Sequence, residues 1–257
     1  MNEQKTPSSA ESGGTPLSFH EFSADGRTSP LKKYQDLVIG DRSLWHLFRF
    51  EFLTFGLTYC PGLLGYFLRQ KLYRGLFREM GRGVMMGTGV TLRQPGKISI
   101  GRGCVIDDLA RLSVRGGEEA GIVLHDHALI GRDTSVNVRD GVVEVGSHTS
   151  VGGQSRLAAT KGRLTIGQHV LIAAYCYIGG GGHETGRKDI PMVLQGPAVK
   201  GGVTIGDDVW IGTHSVVLDG VTIGKGSVIG AGSLVNKDIP EYSIAWGWPA
   251  EVQRKRE

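Results

Sequence analysis

One histidine stands at the point where an otherwise regular sequence pattern is interrupted. His183 ends the run IGGGGH, and Glu184 takes the place of the aliphatic residue that should come next. An imidazole titrates near neutrality, so it can accept a proton from a hydroxyl group that is to act as a nucleophile. His183 is therefore the candidate general base. Glu184, if it folds back, would fix the tautomer of the ring, and we place it among the substrate-binding candidates.

Three other histidines, His127, His148 and His169, recur at intervals of 21 residues. Each stands three positions after the start of a repeat, so the rings should form a column with a spacing of about 4.8 Å. A metal site, a pH-sensitive edge and a plain exterior ladder are all open interpretations of this column. We predict no metal, because collinear rings on adjacent strands do not converge on a tetrahedral centre.

The pattern that positions these side chains has a period of six residues. An aliphatic residue returns at Ile205, Ile211, Val217, Ile223, Ile229 and Val235. This period fits neither a helical face nor a hairpin, but it fits a three-sided prism that turns a corner every six residues. Earlier starts at Leu124, Val145 and Ile166 are 21 apart, which corresponds to one coil of 18 residues and three extra at one corner. The sequence thus predicts an all-β, parallel β-helix domain over residues 84–240.

The interruption after His183 lasts roughly fifteen residues, because the period is recovered only at Val199 or Ile205. Such an excursion predicts a loop that leaves the wall of the prism, where functional residues are often found. The candidate base would then lie at the beginning of this loop.

Composition agrees with one such domain and flanking segments. The chain has 257 residues, 41 of them glycine, and a formal net charge of +4, which is too small to indicate nucleic-acid binding. Residues 1–40 are polar and lack the apolar core of a signal peptide, which predicts a disordered tail and a cytoplasmic protein. Cys104 and Cys176 fall at small inward positions and are interpreted as packing residues in a reducing compartment. Residues 241–257 form a basic C-terminal extension.

Residues 41–83 have a different character, with two apolar helical stretches separated at residues 60–62. Neither stretch is long enough and free enough of charge to span a bilayer. One interpretation is a helical cap over the first coil. The other is a peripheral membrane contact through residues 44–80 at the inner face of the membrane, with aromatic side chains at the headgroup boundary and four basic residues on anionic lipid. Those basic residues are Arg69, Lys71, Arg74 and Arg78.

The run from Gly206 to Arg254, GDDVWIGTHSVVLDGVTIGKGSVIGAGSLVNKDIPEYSIAWGWPAEVQR, resembles the C-terminal part of the hexapeptide-repeat O-acetyltransferases. That family includes galactoside, maltose and nodulation-factor acetyltransferases and polysaccharide-modifying relatives. The resemblance implies a left-handed β-helix, a homotrimer, and transfer of acetyl from acetyl-CoA to a hydroxyl of a saccharide in cell-surface or exopolysaccharide biosynthesis. His183 stands where the family has its catalytic histidine.

The resemblance also carries over the contacts for acetyl-CoA. They fall on Thr213, Ala231, Asn236, Lys237 and Arg254. Small side chains would let the pantetheine arm lie between coils, and Lys237 and Arg254 would supply charge for phosphate. Asn137 is a candidate for contact with the acceptor. Two alternatives are an N-acyltransferase for an amino sugar or amino acid, and a hexapeptide protein that is a metal enzyme or a scaffold.

Overall fold

The computed structural model describes residues 28–257, so most of the tail predicted over residues 1–40 lies outside the described residues. The described part begins with helices rather than strands. The helices are α1 (Pro30–Tyr34), a π-helical turn (Gln35–Ile39), α2 (Leu44–Leu57), α3 (Gly62–Leu72) and a 3₁₀ turn (Tyr73–Leu76). The helical segment therefore begins ten residues before the predicted boundary at residue 40.

Short strands follow in a repeating order. The first three coils contain β1 (Glu79–Met80), β2 (Met85–Met86), β3 (Thr91–Arg93), β4 (Ile98–Ile100), β5 (Val105–Ile106), β6 (Arg111–Arg115), β7 (Gly121–Leu124), β8 (Leu129–Ile130) and β9 (Ser135–Arg139). The next two contain β10 (Val142–Val145), β11 (Ser150–Val151), β12 (Arg156–Thr160), β13 (Arg163–Ile166), β14 (Leu171–Ile172) and β15 (Tyr177–Gly179).

A two-stranded hairpin, β16 (Gly182–His183) and β17 (Pro197–Ala198), interrupts this order. The last two coils contain β18 (Gly202–Ile205), β19 (Trp210–Ile211), β20 (Val216–Val217), β21 (Thr222–Ile223), β22 (Val228–Ile229) and β23 (Leu234–Val235). The chain ends in β24 (Ser243–Gly247) and β25 (Ala250–Lys255), an antiparallel pair.

The strands form the three faces of a prism with seven coils. Face A comprises β1, β4, β7, β10, β13, β18 and β21; face B comprises β2, β5, β8, β11, β14, β19, β22, β24 and β25; face C comprises β3, β6, β9, β12, β15, β20 and β23. Equivalent strands of successive coils pair in parallel, which confirms the predicted parallel β-helix. Its left-handed sense stays a prediction from the resemblance.

The inward positions predicted from the six-residue period form the core. Ile211, Val217, Ile223 and Val235 are fully buried. Each such side chain contributes roughly 1.5–3 kcal/mol relative to an exposed position. The three extra residues of the 21-residue coils lengthen the strands of face C, where β9 and β12 have five residues against two in β20. They lengthen face A as well, where β10 and β13 have four residues against two in β21, so the coil grows at the C-to-A corner and leaves the strands of face B at two residues.

The histidine column lies on the corner between faces A and B. His127, His148 and His169 all adopt positive φ, at 61°, 57° and 57°, a conformation that His tolerates better than most residues. Their ring centroids are 4.9 and 5.1 Å apart, and neighbouring planes lie within 17° of parallel. The predicted column is confirmed. Within residues 28–257, no group of three or more His, Cys, Asp or Glu side chains is arranged to hold a metal ion.

The N-terminal helices pack on the first coil through Phe50, Tyr73 and Phe77, which belong to the same buried cluster as Val84 and Met86. Because an open coil exposes its apolar interior, these side chains act as a lid on the end of the prism. The two helices α2 and α3 are separated by residues 58–61, which confirms the predicted break except that Gly62 already begins α3.

Arg69 corrects one prediction for this segment. Its side chain was expected to contact anionic lipid, but the residue is only 2% exposed. Its guanidinium donates hydrogen bonds to the carbonyl oxygens of Met86 (3.0 Å), Leu57 (2.8 Å) and Cys60 (2.7 Å). The Leu57 carbonyl oxygen also accepts the backbone N–H of Cys60 at 3.2 Å, whereas Arg69 is the donor that satisfies Met86 and Cys60 at the first coil and after α2. Arg69 therefore fixes the helix pair to the prism instead of facing outward.

The opposite side of the helix pair exposes large apolar side chains. They are Leu44, Trp45, Phe48, Phe52, Phe55, Tyr59, Leu63, Leu64 and Phe67. Positions 45, 48, 52, 55 and 59 follow the spacing of one helical face, and Phe55 is 95% exposed. Across residues 28–257, none of the helices combines the length and apolar character needed to cross a bilayer.

Candidate functional site

The excursion leaves the prism at the corner between faces C and A, directly after β15. The backbone there needs glycine, since Gly179 has φ of 137° and a Cβ would lie 1.9 Å from the carbonyl oxygen of Ala158. Gly202, where the chain returns to face A, has φ of 111° and is equally crowded by Arg163. The sequence IGGGGH thus folds locally as a tight departure from the wall.

His183 lies on the short hairpin that begins the excursion. It is opposite Pro197 in the β16–β17 pair, and the backbone N–H of the next residue, Glu184, donates to the carbonyl oxygen of Gly196 at 3.0 Å. Both side chains are exposed. Within the described residues, the structure has no hydrogen bond between the Glu184 carboxylate and the His183 ring. An exposed imidazole on a fixed hairpin is available to a substrate.

Asp219 anchors the base of the excursion, and sequence reasoning missed it. Its carboxylate accepts the backbone N–H of Lys200 at 2.7 Å and that of Gly202 at 2.8 Å. It also lies against Gly180, where a Cβ would be 2.7 Å from the Asp219 Cγ. The Asp219-Gly220 dipeptide within the repeat was the signal for this turn. Asp219 therefore fixes the returning end of the excursion by hydrogen bonds and packs against its departing end.

Below the hairpin, a groove of about 290 Å³ opens on the outer surface of face C. Its walls are Tyr177, Gly179, Gly181, Gly182, Ala198, Lys200, Leu218 and Asp219. Small residues on one side leave room for a ligand chain, while Lys200 and Asp219 supply polar groups. The groove lies next to the candidate base, so it can hold a molecule whose hydroxyl approaches His183.

The loop between Glu184 and Gly196 has its own internal structure. Arg187 pairs with Asp189, and the hydrogen bond from this guanidinium lowers the pKa of the Asp189 carboxyl. Gln195 accepts the backbone N–H of Arg187 at 3.0 Å and donates to its carbonyl oxygen at 2.7 Å. At its tip, Met192 and Leu194 are exposed apolar side chains. The loop is thus held in shape and presents an apolar tip.

Thr213 and Ala231 are brought together on the corner between faces B and C. The N–H of Gly232 donates to the carbonyl oxygen of Thr213 at 2.8 Å, so these two coils are in direct contact. The Thr213 hydroxyl donates to the carbonyl oxygen of Ala174 at 2.7 Å. Next to it, the His214 ring stacks on Tyr175 with centroids 4.8 Å apart. This stack was not among the predicted site residues, and nothing in the repeat pattern distinguishes it.

The other predicted cofactor residues lie elsewhere. Asn236 and Lys237 follow β23 on the C-to-A corner, the same corner as His183 but two coils further on, which corresponds to about 10 Å. Arg254 lies on β25 opposite Ile244, beyond the last coil of face B. All three are exposed. Within one chain, the predicted set is therefore divided between two corners and the C-terminal hairpin.

Asn137 lies on the same face as the groove. In the register of face C it pairs with Ala158, which in turn pairs with Gly179 at the start of the excursion. Its amide donates to the Ser135 hydroxyl at 3.0 Å, and the residue is half-buried. Asn137 is thus about two strand spacings, or roughly 10 Å, from the excursion.

The buried cysteines are structural. Burial raises the pKa of both the Cys104 and Cys176 thiols, and the thiols donate to the carbonyl oxygens of His125 and Gly212 at 3.1 and 3.3 Å. A buried thiol with a raised pKa is a poor nucleophile. Neither thiol is therefore a candidate nucleophile.

Comparison with known proteins agrees with this geometry. The family model for the bacterial transferase hexapeptide (six repeats) matches residues 202–237. A probable acetyltransferase of Mycobacterium tuberculosis is 37% identical over 128 residues, which cover 50% of this chain and 42% of the relative. The galactoside O-acetyltransferase of Escherichia coli is 45% identical over 92 residues, covering 36% of this chain and 44% of the relative. The chain thus matches less than half the length of these two relatives.

A solved structure, the UDP-N-acetylglucosamine acyltransferase of Campylobacter jejuni, superposes with a TM-score of 0.50 at 17% identity. The alignment covers 68% of this chain and 69% of that one, and it supports the fold alone. Residues 202–237 thus match the bacterial transferase hexapeptide repeats, and part of the chain is similar to curated acetyltransferases.

Proposed function

We propose that the protein transfers an acetyl group from acetyl-CoA to a hydroxyl of a saccharide, with His183 as the general base. One observation carries this proposal: the excursion from the repeating wall places an exposed imidazole beside a groove. The similarity to a galactoside O-acetyltransferase supports a sugar hydroxyl as acceptor. We also propose that the enzyme acts in the cytoplasm and that its product is used in the synthesis of a cell-surface polysaccharide.

In this mechanism, neutral His183 accepts the proton of the acceptor hydroxyl as its oxygen attacks the thioester carbonyl. The tetrahedral oxyanion is stabilised by a backbone N–H donor. When the intermediate collapses, the carbon–sulfur bond breaks and the imidazolium returns the proton to the leaving sulfur. No covalent acetyl-enzyme is required, because both substrates meet at the same base.

The position of the predicted cofactor residues indicates that a complete site needs more than one chain. Thr213 and Ala231 line the B-to-C corner, whereas His183 lies on the C-to-A corner of the same prism. Two corners of one prism cannot enclose a single cleft, but corners of neighbouring subunits can. We propose a homotrimer in which acetyl-CoA lies between the Thr213 corner of one subunit and His183 of the next.

Face B supplies a surface suited to such assembly. Its outward positions align in register through Met85, Val105, Leu129, Ser150, Leu171, Trp210 and Val228. Six of these seven side chains are apolar, and three of them, Met85, Leu171 and Trp210, are exposed. A flat apolar strip of this kind is typical of a surface that packs against another copy of the same chain.

The apolar side of the helix pair α2 and α3 is a second candidate contact surface. We propose that it binds an anionic membrane surface, since Phe67 shares a surface hollow with Lys71, Arg74 and Arg82. Aromatic side chains next to cations match the headgroup boundary of an anionic bilayer. An acceptor attached to a lipid would be concentrated at that surface.

The test of the activity is incubation with isotopically labelled acetyl-CoA and a panel of oligosaccharide and nucleotide-sugar acceptors, followed by mass spectrometry. His183→Ala should lower turnover by about 100-fold or more while leaving binding of CoA unchanged. His125→Ala is the matched control, because that imidazole lies on the A-to-B side and bonds to Glu144. A His183→Ala enzyme with more than a third of wild-type turnover would remove this residue from the mechanism. An amide product instead of an ester would assign an N-acyltransferase.

A further inference from the structure

The three faces of the prism differ sharply in charge. The strands of face C carry Arg93, Arg111, Arg115, Arg139 and Arg156 and no acidic residue. The strands of face A carry Glu79, Glu144 and Arg163. From β2 to β22, the strands of face B carry no charged side chain. Among the strands from β1 to β23, five of the six arginines thus lie on the face that contains the groove.

The arginines border a strip of small side chains. Arg115 and Arg139 are register partners on adjacent strands, and Arg93 pairs with Ser113. From Ser113 the register continues through Asn137 and Ala158 to Gly179, where the excursion begins. The inward neighbours Leu112, Val114, Val136 and Val138 are buried, so these positions point away from the core. The result is a shallow lane, polar at Ser113 and Asn137 and closed in at Ala158, which is 6% exposed; it is bordered by cations and ends at Gly179 in the wall of the groove.

The cations on this face are close enough to repel one another. The pKa of Arg115 is lowered, first by partial burial and then by the positive charges of Arg139 and Arg93, while Asp140 opposes the shift. Of the other acidic groups at this face, Asp133 is paired with Arg111. Arg93, Arg115 and Arg139 thus form one positively charged cluster on this face. An anionic ligand would gain charge-assisted hydrogen bonds from these guanidinium groups.

We propose that the outer surface of β3, β6, β9 and β12 binds an anionic saccharide chain, with Arg93, Arg115 and Arg139 contacting its carboxylate or phosphate groups. The planar guanidinium fork fits either anion, and the small floor leaves space for sugar rings. The lane directs the bound chain toward the groove, so a hydroxyl of that chain is the acceptor for His183. This last step rests on the proposed function, whereas the binding itself does not.

The test measures binding by calorimetry in the absence of acetyl-CoA. The probes are oligogalacturonate, its fully methyl-esterified neutral form, and a phosphorylated glucan oligosaccharide of matched length. The two anionic probes distinguish carboxylate from phosphate as the preferred group. We expect an anionic probe to bind and the ester not to bind. Each of Arg115→Gln and Arg139→Gln should weaken that binding roughly tenfold or more, since a hydrogen bond to a charged group is lost.

Arg163→Gln is the matched control, because it removes the same charge from face A, where Arg163 pairs with Glu144. It should leave binding unchanged. Thermal unfolding of each variant verifies that the fold is retained. Equal binding of the anionic and esterified probes, or equal weakening by Arg163→Gln, would overturn the inference.

A His183→Ala variant separates this inference from the proposed activity. It should bind the anionic probe with wild-type affinity and fail to acetylate it. Binding without acetylation by the wild-type protein would overturn the proposed activity and leave the binding face in place. Acetylation of neutral acceptors alone, without binding of either anionic probe, would overturn the binding face and leave the activity.

Discussion

Replacing Asp219 tests how the excursion positions the candidate base. The Asp219 carboxylate holds the N–H groups of Lys200 and Gly202 at 2.7 and 2.8 Å. Hydrogen bonds to a charged group contribute about 1.5–3 kcal/mol each, and the partly exposed position favours the lower value. Asp219→Ala should therefore destabilise the closed base of the excursion by about 3 kcal/mol. The prism coils keep their own pairing, so the loss is local.

A local loss of this size changes the ratio of closed to open excursion by about 100-fold. We expect kcat/KM for acetyl transfer to fall by roughly 10- to 100-fold, with little change in the affinity for CoA. Hydrogen exchange should become faster at the amides of Lys200 and Gly202, because these amides lose their acceptor. Asp219→Asn, which retains one acceptor oxygen, should give an intermediate effect.

Asp238→Ala is the matched control for this experiment. Asp238 accepts the N–H of Thr222 at 2.7 Å on the same corner, one coil further on, without touching the excursion. It should lower stability by about 1.5 kcal/mol, because one hydrogen bond to a charged group is lost. It should leave kcat/KM within roughly twofold, because Asp238 does not contact the excursion. If Asp219→Ala keeps wild-type kcat/KM and wild-type exchange at Lys200 and Gly202, the anchoring role is refuted.

Three further outcomes test the remaining features. Arg69→Met should lower the free energy of unfolding in urea by about 3 kcal/mol, because buried carbonyl oxygens lose their donor. Lys71→Met, at an exposed position, should change this free energy little. Equal effects of the two substitutions would contradict the anchoring role of Arg69. Light scattering should show a trimer, and a fully active monomer would rule out a site shared between subunits. The protein should bind phosphatidylglycerol vesicles less tightly as salt rises, and replacing Phe48, Phe52 and Phe55 by serine should abolish this binding. If the intact protein does not bind and the helix pair is buried in the oligomer, this face serves assembly instead.

Much of the fold could be predicted from the sequence because the fold repeats. Each coil uses the same inward positions, so the six-residue period predicted that Ile211, Val217 and Ile223 are buried. The structure buries all three. The same regularity predicted the histidine column and made the break at His183 visible. When the same contact recurs in every coil, the same residue type recurs in the sequence, and this recurrence can be seen in one sequence alone.

The candidate site was only partly predictable. His183 was identified from the break, but Asp219 was not, because its partners are backbone N–H groups that lie close only after the excursion has folded back. Thr213 and Lys237 were predicted to act together, yet the structure places them on different corners. In the proposed homotrimer they would meet between subunits, and no pattern within one chain records such a contact.

The sequence by itself determined the coil, its core positions and the point after His183 where the excursion begins. These features depend on a local six-residue period that recurs in every coil. Only the tertiary structure decided which side chains face inward at the ends of the prism. The sequence left a cap and a membrane contact open for the aromatic residues of α2, and in the structure Trp45, Phe48, Phe52 and Phe55 are exposed. Arg69 looked like a surface cation and is buried against three carbonyl groups. Such contacts occur once and join segments that are distant in sequence, so their energy depends on packing that has no periodic signature.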